Sequence, residues 1–330
     1  MDTFLFAVNA VAPVVLLTAL GYVLKRLGLC SREFAAGANR LVFRLFLPVM
    51  VFLNLYDGGG LKKSDLPLAG YVAAACAVMF TLGMIIVRAL IDDPRQKGVV
   101  LQCIFRSNFA IIGLPLAASL AGEEGARLAA VASVIAIPIF NTLAVVSLSM
   151  YRRNCDGGRV KAADIVRSVV TNPLIIGVAC ALVLLGLEKL FALAGADNVR
   201  LSNISPVYSA LKSLSSATTP IALIALGSQF EFSAVKGMLK PILTGTICRL
   251  IVMPLIVIGG ACLLCPQFGA GEFALLVSFS ASPISVSSAV MASEMDNDGT
   301  LAGQFVVWTT FFSMFTVFFI VIILRAAGIF

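Results

Sequence analysis

Long apolar runs alternate along the chain with short charged segments. A membrane-spanning helix needs about 20 mostly apolar residues, and ten runs approach or exceed that length. The ten runs are Thr3–Leu24, Phe34–Tyr56, Pro67–Val87, Val99–Ala121, Leu128–Met150, Val169–Leu187, Leu214–Phe230, Pro241–Leu264, Phe273–Ser293 and Thr300–Leu324. Because helices satisfy their backbone hydrogen bonds internally, this pattern predicts an all-α polytopic membrane protein with ten transmembrane helices.

The fourth run contains polar and helix-breaking residues where a purely structural helix would be apolar. Arg106, Ser107 and Asn108 are followed by Gly113 and Pro115. An arginine in hydrocarbon costs at least about 2.5 kcal/mol, and proline removes a backbone donor and clashes one turn back. Broken, polar backbone at membrane depth is tolerated where it is buried in protein or lines a cavity. The fourth run is therefore the predicted substrate site of a transporter.

The second half of the chain echoes the first. Pro48 in the second run corresponds to Pro220 in the seventh, and the polar fourth run corresponds to a serine-rich ninth run that contains Pro283. Because five helices per half is an odd number, the second half would insert upside down. The pattern predicts inverted five-helix repeats at residues 1–150 and 168–330, joined by a short loop at 151–167. Chance matching of prolines, which membrane helices tolerate, is the alternative.

The distribution of basic residues predicts the orientation. Cytoplasmic loops carry an excess of Lys and Arg. The loops after the first, third, fifth and seventh runs hold thirteen such residues, whereas the opposite loops and ends hold seven. The loop at 151–167 is therefore predicted to be cytoplasmic, and both termini are predicted to lie outside.

Composition supports a membrane protein and argues against an enzyme. The chain is 60% apolar and 12% charged, with a mean hydropathy of +1.02, whereas soluble domains are about 45–50% apolar and about 25% charged. The net charge of +7 is explained by the orienting loops, so no nucleic-acid partner is expected. Histidine, the commonest metal ligand and catalytic base, does not occur. An intramembrane enzyme would need an Asp pair, a Ser–His pair or a metal motif, and no resident metal is expected.

The predicted breaks in the fourth and ninth helices favour an anionic ligand. Helix N-termini carry partial positive charge and free N–H groups, and the planar fork of Arg106 fits a carboxylate. No acidic residue occurs in residues 99–121 or 273–292. The residues that we predict to bind substrate are Arg106, Ser107, Asn108, Ser282, Pro283, Ser285, Asn141 and Thr218. Two alternatives stay open: Arg106 braces the break by bonding a backbone carbonyl, and the serines serve only helix packing.

Five motifs in order along nearly the whole chain resemble the auxin efflux carrier family. They are Asn39-Arg40 followed by Pro48, Arg106-Ser107-Asn108 followed by Gly113 and Pro115, Asn172-Pro173, the segment from Pro220 to Gly227, and Ser282-Pro283. The resemblance implies two inverted five-helix repeats with broken crossover helices 4 and 9. It also implies a scaffold and dimer side from helices 1, 2, 6 and 7, and a transport domain from helices 3–5 and 8–10 that moves by an elevator mechanism.

The substrate class follows from the same resemblance. Plant members of the family export an auxin carboxylate, whereas bacterial members are typically assigned to malonate, malate or similar acids. The plant carriers have proline where this chain has Ser107, and their long cytoplasmic loop is short here. We therefore expect a secondary transporter of small organic anions in a bacterial inner membrane, acting as a homodimer, without a cofactor and with H⁺ or Na⁺ coupling undetermined. A sodium-coupled carrier of the bile-acid symporter type and a channel or sensor are the alternatives.

Overall fold

The computed structural model describes residues 2–57, 65–151, 162–193 and 200–330. Within these residues the chain is helical, and the only β-type pairing is an isolated antiparallel bridge between Ser107 and Ile284. Residues 152–161, which form most of the predicted cytoplasmic loop, lie outside the described residues, as do Lys62 and Lys63 of an opposite loop.

Twelve helices organise the described chain. They are α1 (Asp2–Arg26), α2 (Arg32–Tyr56), α3 (Leu66–Leu90), α4 (Pro94–Phe105), α5 (Phe109–Met150), α6 (Ala162–Val170), α7 (Pro173–Leu193), α8 (Ser205–Gln229), α9 (Leu239–Leu264), α10 (Ala270–Ala281), α11 (Ser287–Glu294) and α12 (Gly299–Ala326). Among the described residues, seven helices are long and apolar enough to cross a membrane: α2, α3, α5, α7, α8, α9 and α12. The predicted all-helical, multi-pass membrane architecture is confirmed to this extent, and the ten-helix inverted repeat stays a prediction.

Three helices widen into π-helical segments immediately before a proline. The segments are Val42–Phe46 in α2, Phe109–Gly113 in α5 and Cys248–Val252 in α9, and the prolines two residues later are Pro48, Pro115 and Pro254. A proline ring clashes with the carbonyl one turn upstream and donates no hydrogen bond to it. A wider turn relieves both problems. Pro220 lies within α8 instead, in a continuous helix.

The fourth and ninth predicted helices are both interrupted. Residues 106–108 separate α4 from α5, and residues 282–286 separate α10 from α11. A second bend divides α5 at Ala121 and Gly122, where Gly122 has φ +59°, a left-handed conformation that glycine adopts readily. The first part of α5 therefore continues the fourth predicted segment, and the second part corresponds to the fifth.

Small residues bring α1, α2, α7 and α8 into close contact. A Cβ atom on Gly227 of α8 would collide with the Thr18 carbonyl of α1, and one on Gly177 of α7 would lie 2.6 Å from the Pro48 carbonyl oxygen of α2. Close backbone approach at small residues is typical of membrane helix packing. Separately, α5 packs along α10, so the two interrupted segments are held side by side in the interior.

Candidate functional site

The two helix breaks pair with each other through their backbones. The Asn108 N–H donates to the Pro283 carbonyl oxygen at 2.8 Å, and Ser107 bridges Ile284 in antiparallel fashion. The Ile284 N–H donates in turn to Thr309 Oγ1 of α12 at 3.2 Å. Because buried backbone groups must find partners, the mutual pairing allows two irregular segments to lie inside the protein.

A buried arginine, Arg249, joins the C-terminal ends of α4 and α10. Its Nε donates to the Ser282 carbonyl at 2.9 Å and its Nη2 to the Phe279 carbonyl at 3.0 Å. Its Nη1 donates to the carbonyls of Phe105 at 3.2 Å and Ile104 at 3.4 Å. The last carbonyls of a helix have no partner within the helix, and a cation there complements the helix dipole. Arg249 therefore stabilises both interrupted helices at once.

The second buried arginine, Arg106, is bonded only to neutral side chains. It is 4% exposed, and its Nη1 donates to the sulfur of Met291 at 2.6 Å. Its Nη2 donates to Asn141 Oδ1 and to Ser287 Oγ, both at 2.8 Å. No carboxylate of the described residues forms an ion pair with it. A buried charge without a counter-ion is unfavourable, so a bound anion would stabilise this site.

A cavity of about 40 Å³ lies beside Arg106, which is room for about three water molecules and comparable to one carboxylate group. It is lined by Met50, Val51, Asn54, Arg106, Ser107, Asn108, Phe109, Ala110, Ile111, Ile137, Phe140, Asn141, Ser285 and Ser287. Two lining residues carry buried polar atoms without a hydrogen-bond partner in the described chain, Ser107 at Oγ and Asn108 at Nδ2. Since buried polar atoms are normally paired, these two atoms are available to a ligand.

The structure brings five of the predicted substrate-binding residues to this cavity: Arg106, Ser107, Asn108, Asn141 and Ser285. Ser282 and Pro283 do not line the cavity. Their carbonyls accept from Arg249 Nε and from the Asn108 N–H, and the Ser282 hydroxyl donates to the Ser278 carbonyl at 2.6 Å. Gly113 approaches α10 closely, because a Cβ atom there would lie 3.0 Å from the Ser278 carbonyl oxygen.

Thr218 lies elsewhere, in the contact between α2 and α8. Its hydroxyl lies 3.2 Å from the carbonyl oxygens of both Phe46 and Leu214, and the residue does not line the cavity beside Arg106. Thr218 was predicted to bind substrate, but it lies in a continuous part of α8, which Pro220 does not interrupt.

Arg249 was not predicted from the sequence as part of the site. A signal was present, because Arg249 is the only charged residue in the predicted eighth helix, Pro241–Leu264. An ionisable residue inside a membrane segment indicates a functional or structural site by default. The role of Met291 as a partner of Arg106 had no comparable signal, since methionine is ordinary in an apolar helix.

A larger polar cavity of about 250 Å³ lies between α2, α8, α11 and α12. Asn39 and Gln304 are among its lining residues, and the Gln304 side chain donates to the Glu231 carbonyl and accepts from Trp308 Nε1, both at 3.0 Å. The cavity adjoins the C-terminal end of α8 and the N-terminal end of α12, on the predicted cytoplasmic side. Over the described residues, His, Cys, Asp and Glu do not form a group of three or more able to hold a metal ion.

Comparison with known proteins agrees with this architecture. The profile of the family described as membrane transport protein matches residues 6–155 and 159–321. The chain belongs to this family. The resemblance to auxin efflux carriers is thereby confirmed at the level of the family, and the family is one of membrane transporters rather than enzymes.

Two archaeal proteins are similar to this membrane transport protein over most of its length. An uncharacterized transporter of Methanothermobacter thermautotrophicus is 26% identical over 316 residues, which cover 94% of this chain and 96% of the relative. The uncharacterized transporter MJ1031 of Methanocaldococcus jannaschii is 25% identical over 258 residues, covering 74% and 76% of the two chains. Both names state transport and neither states a substrate.

Proposed function

We propose that this membrane transport protein is a secondary active transporter of small organic anions, carboxylates such as malonate or malate, and that it binds them between the two helix breaks. The observation that carries the proposal is Arg106, a buried cation whose three partners are neutral. A substrate carboxylate would supply the missing negative charge, and charge-assisted hydrogen bonds to arginine are among the stronger ones in proteins.

The polar atoms around Arg106 support an anion over a metal cation. The unpartnered Nδ2 of Asn108 is a donor, and the unpartnered hydroxyl of Ser107 can donate as well. A site for a hard cation would instead offer several oxygen ligands and negative charge, and no acidic residue lines this cavity. The chemistry of the lining therefore matches the substrate class that the family resemblance implies.

We also propose how the helices are arranged in the membrane. Ten helices would form two inverted five-helix repeats, with the interrupted segments as crossover helices. The closely packed helices α1, α2, α7 and α8 would form a static scaffold and the dimer side, and the remaining helices would carry the substrate across by an elevator motion. The small-residue contacts between α1 and α8 and between α2 and α7 support a rigid scaffold.

Counterflow in proteoliposomes tests the transport mechanism. We expect unlabelled malonate or malate inside the vesicles to accelerate uptake of the labelled acid, because a carrier exchanges substrates. The Asn108→Ala variant should lose uptake while its expression, oligomeric state and thermal stability are unchanged, since it removes a donor that has no partner within the protein. Uptake unaffected by internal substrate would indicate a channel, and unchanged kinetics in Asn108→Ala would exclude this residue from the substrate site.

Cysteine labelling tests the orientation. Single cysteines near Gly157 and near Phe330, in a background without other reactive thiols, should react from opposite sides of the membrane, because the excess of basic residues predicts that residues 151–167 are cytoplasmic. Reaction of both cysteines with an impermeant reagent added to intact cells contradicts the orientation.

A further inference from the structure

An open groove of about 760 Å³ lies on the surface between α2, α7 and α8. Most of its lining is apolar: Phe43, Pro48, Val49, Phe52, Pro173, Ile176, Gly177, Cys180 and Leu211. Two polar residues, Arg44 and Thr171, complete it. The groove is separate from the cavity beside Arg106, and the two share no lining residue.

The apolar wall runs along two parallel helices. Pro48 of α2 lies against Gly177 of α7, and eight residues further along α2 the Tyr56 hydroxyl donates to Glu188 of α7 at 2.7 Å. Because contacts advance in the same direction along both helices, α2 and α7 are parallel. Both begin on the side that the basic loops predict to be cytoplasmic.

The polar residues occupy one end of the groove. Arg44 precedes Pro48 by one helical turn, and Pro173 precedes Gly177 by one turn, so Arg44 lies level with the start of α7 and with Thr171. The deeper part, towards Phe52, is apolar. The groove is therefore amphipathic along its length, with a cation at the end nearer the predicted cytoplasmic surface.

The Arg44 side chain is exposed and forms no hydrogen bond or ion pair with any other residue that the structure describes. Arg40, one turn closer to the start of α2, is exposed as well. An arginine on the outer face of a membrane helix requires an anionic partner or access to headgroups. Basic residues at the cytoplasmic surface attract anionic lipids.

We infer that this groove binds an anionic phospholipid, with the phosphate on Arg44 and an acyl chain along the apolar wall towards Phe52. Charge complementarity identifies the occupant as an anionic lipid. A two-fold dimer on the scaffold side would bring the same cationic residues of two copies towards each other, and a phospholipid in each groove would supply a negative phosphate for Arg44 and an acyl chain for the apolar wall.

Native mass spectrometry of the delipidated full-length protein tests the inference. We expect one phosphatidylglycerol to bind about fivefold more tightly than phosphatidylcholine, as one interfacial arginine contributes about that factor. Arg44→Gln should remove the preference and Arg44→Lys should retain it. Arg88→Gln is the matched control, because Arg88 is an exposed arginine in the last turn of α3 and does not line the groove.

A second readout locates the lipid. Cys180 is an exposed free thiol that lines the groove, so its alkylation by N-ethylmaleimide, followed by peptide mass spectrometry, should slow when phosphatidylglycerol is added. Phosphatidylcholine should slow it less, and Arg44→Gln should abolish the difference. Equal protection by both lipids, or a preference that persists in Arg44→Gln, overturns the inference. Protection that follows dimer formation without lipid also overturns it, because a second copy would then occupy the groove.

Discussion

Two buried arginines flank the same pair of helix breaks, and they are bonded in different ways. Arg249 donates to four backbone carbonyls, those of Ile104, Phe105, Phe279 and Ser282. Arg106 donates to three side chains, on Asn141, Ser287 and Met291. One cation therefore holds the backbone of the breaks together, and the other is held by groups that can change their partners.

The difference separates a structural cation from one that is available to a ligand. The carbonyls at the ends of the interrupted helices have no partner within their own helix, and Arg249 supplies it. The hydroxyl of Ser287 lies 2.8 Å from both Arg106 and Ser285, so it can exchange partners when an anion approaches Arg106. The bracing role that the sequence alone left open for Arg106 is performed by Arg249.

The largest expected effect is on the stability of Arg249→Leu. Removing the guanidinium leaves four buried carbonyls without their donor. Each buried acceptor left unsatisfied costs about 1–3 kcal/mol, so the free energy of unfolding should fall by several kcal/mol. Arg249→Lys should lie between this variant and the wild type, because an ammonium cannot reproduce the planar fork. Thermal denaturation of the purified variants, without ligand, measures the effect.

Arg106→Leu is the matched comparison for Arg249→Leu, since both remove a buried arginine beside the same breaks. Its loss of stability should be smaller by at least about 2 kcal/mol, because it leaves three side chains, rather than four helix-end carbonyls, to find new partners. Equal losses in the two variants contradict the assignment of different roles.

The smallest expected effect is that of Thr218→Val. The substitution removes a hydroxyl that bonds to helix carbonyls between α2 and α8, so stability should fall by about 1 kcal/mol or less. Anion affinity, measured by isothermal titration calorimetry, should equal that of the wild type because Thr218 does not line the cavity. A tenfold loss of anion affinity would indicate that Thr218 does belong to the substrate site.

The helix breaks followed from the sequence because their causes are local. Proline and glycine combined with a run of polar residues disfavour a continuous apolar helix, and the helices are interrupted at residues 106–108 and 282–286. Their role as crossover helices stays a prediction. The all-helical membrane fold followed from the lengths of the apolar runs.

The partners of the two arginines could not be predicted from the sequence, because they are distant from the arginines along the chain. Arg106 bonds residues that are 35, 181 and 185 positions away, and Arg249 bonds carbonyls that are 30 to 145 positions away. A local pattern contains no information on such contacts. Backbone acceptors also leave no residue-type signature, so the role of Arg249 depends entirely on how the helices pack.

Anion affinity across an Arg106 series tests the central claim most directly. Binding of short mono- and dicarboxylates to the wild type, Arg106→Lys and Arg106→Gln is measured by isothermal titration calorimetry, with the stability of each ligand-free protein measured in parallel. We expect Arg106→Lys to bind more weakly than the wild type, because it keeps the charge but loses the planar fork. Arg106→Gln should be weaker by about 10- to 100-fold than the wild type, since a hydrogen bond to a charged group contributes about 1.5–3 kcal/mol. Equal affinity in all three folded proteins contradicts direct recognition of the anion by Arg106.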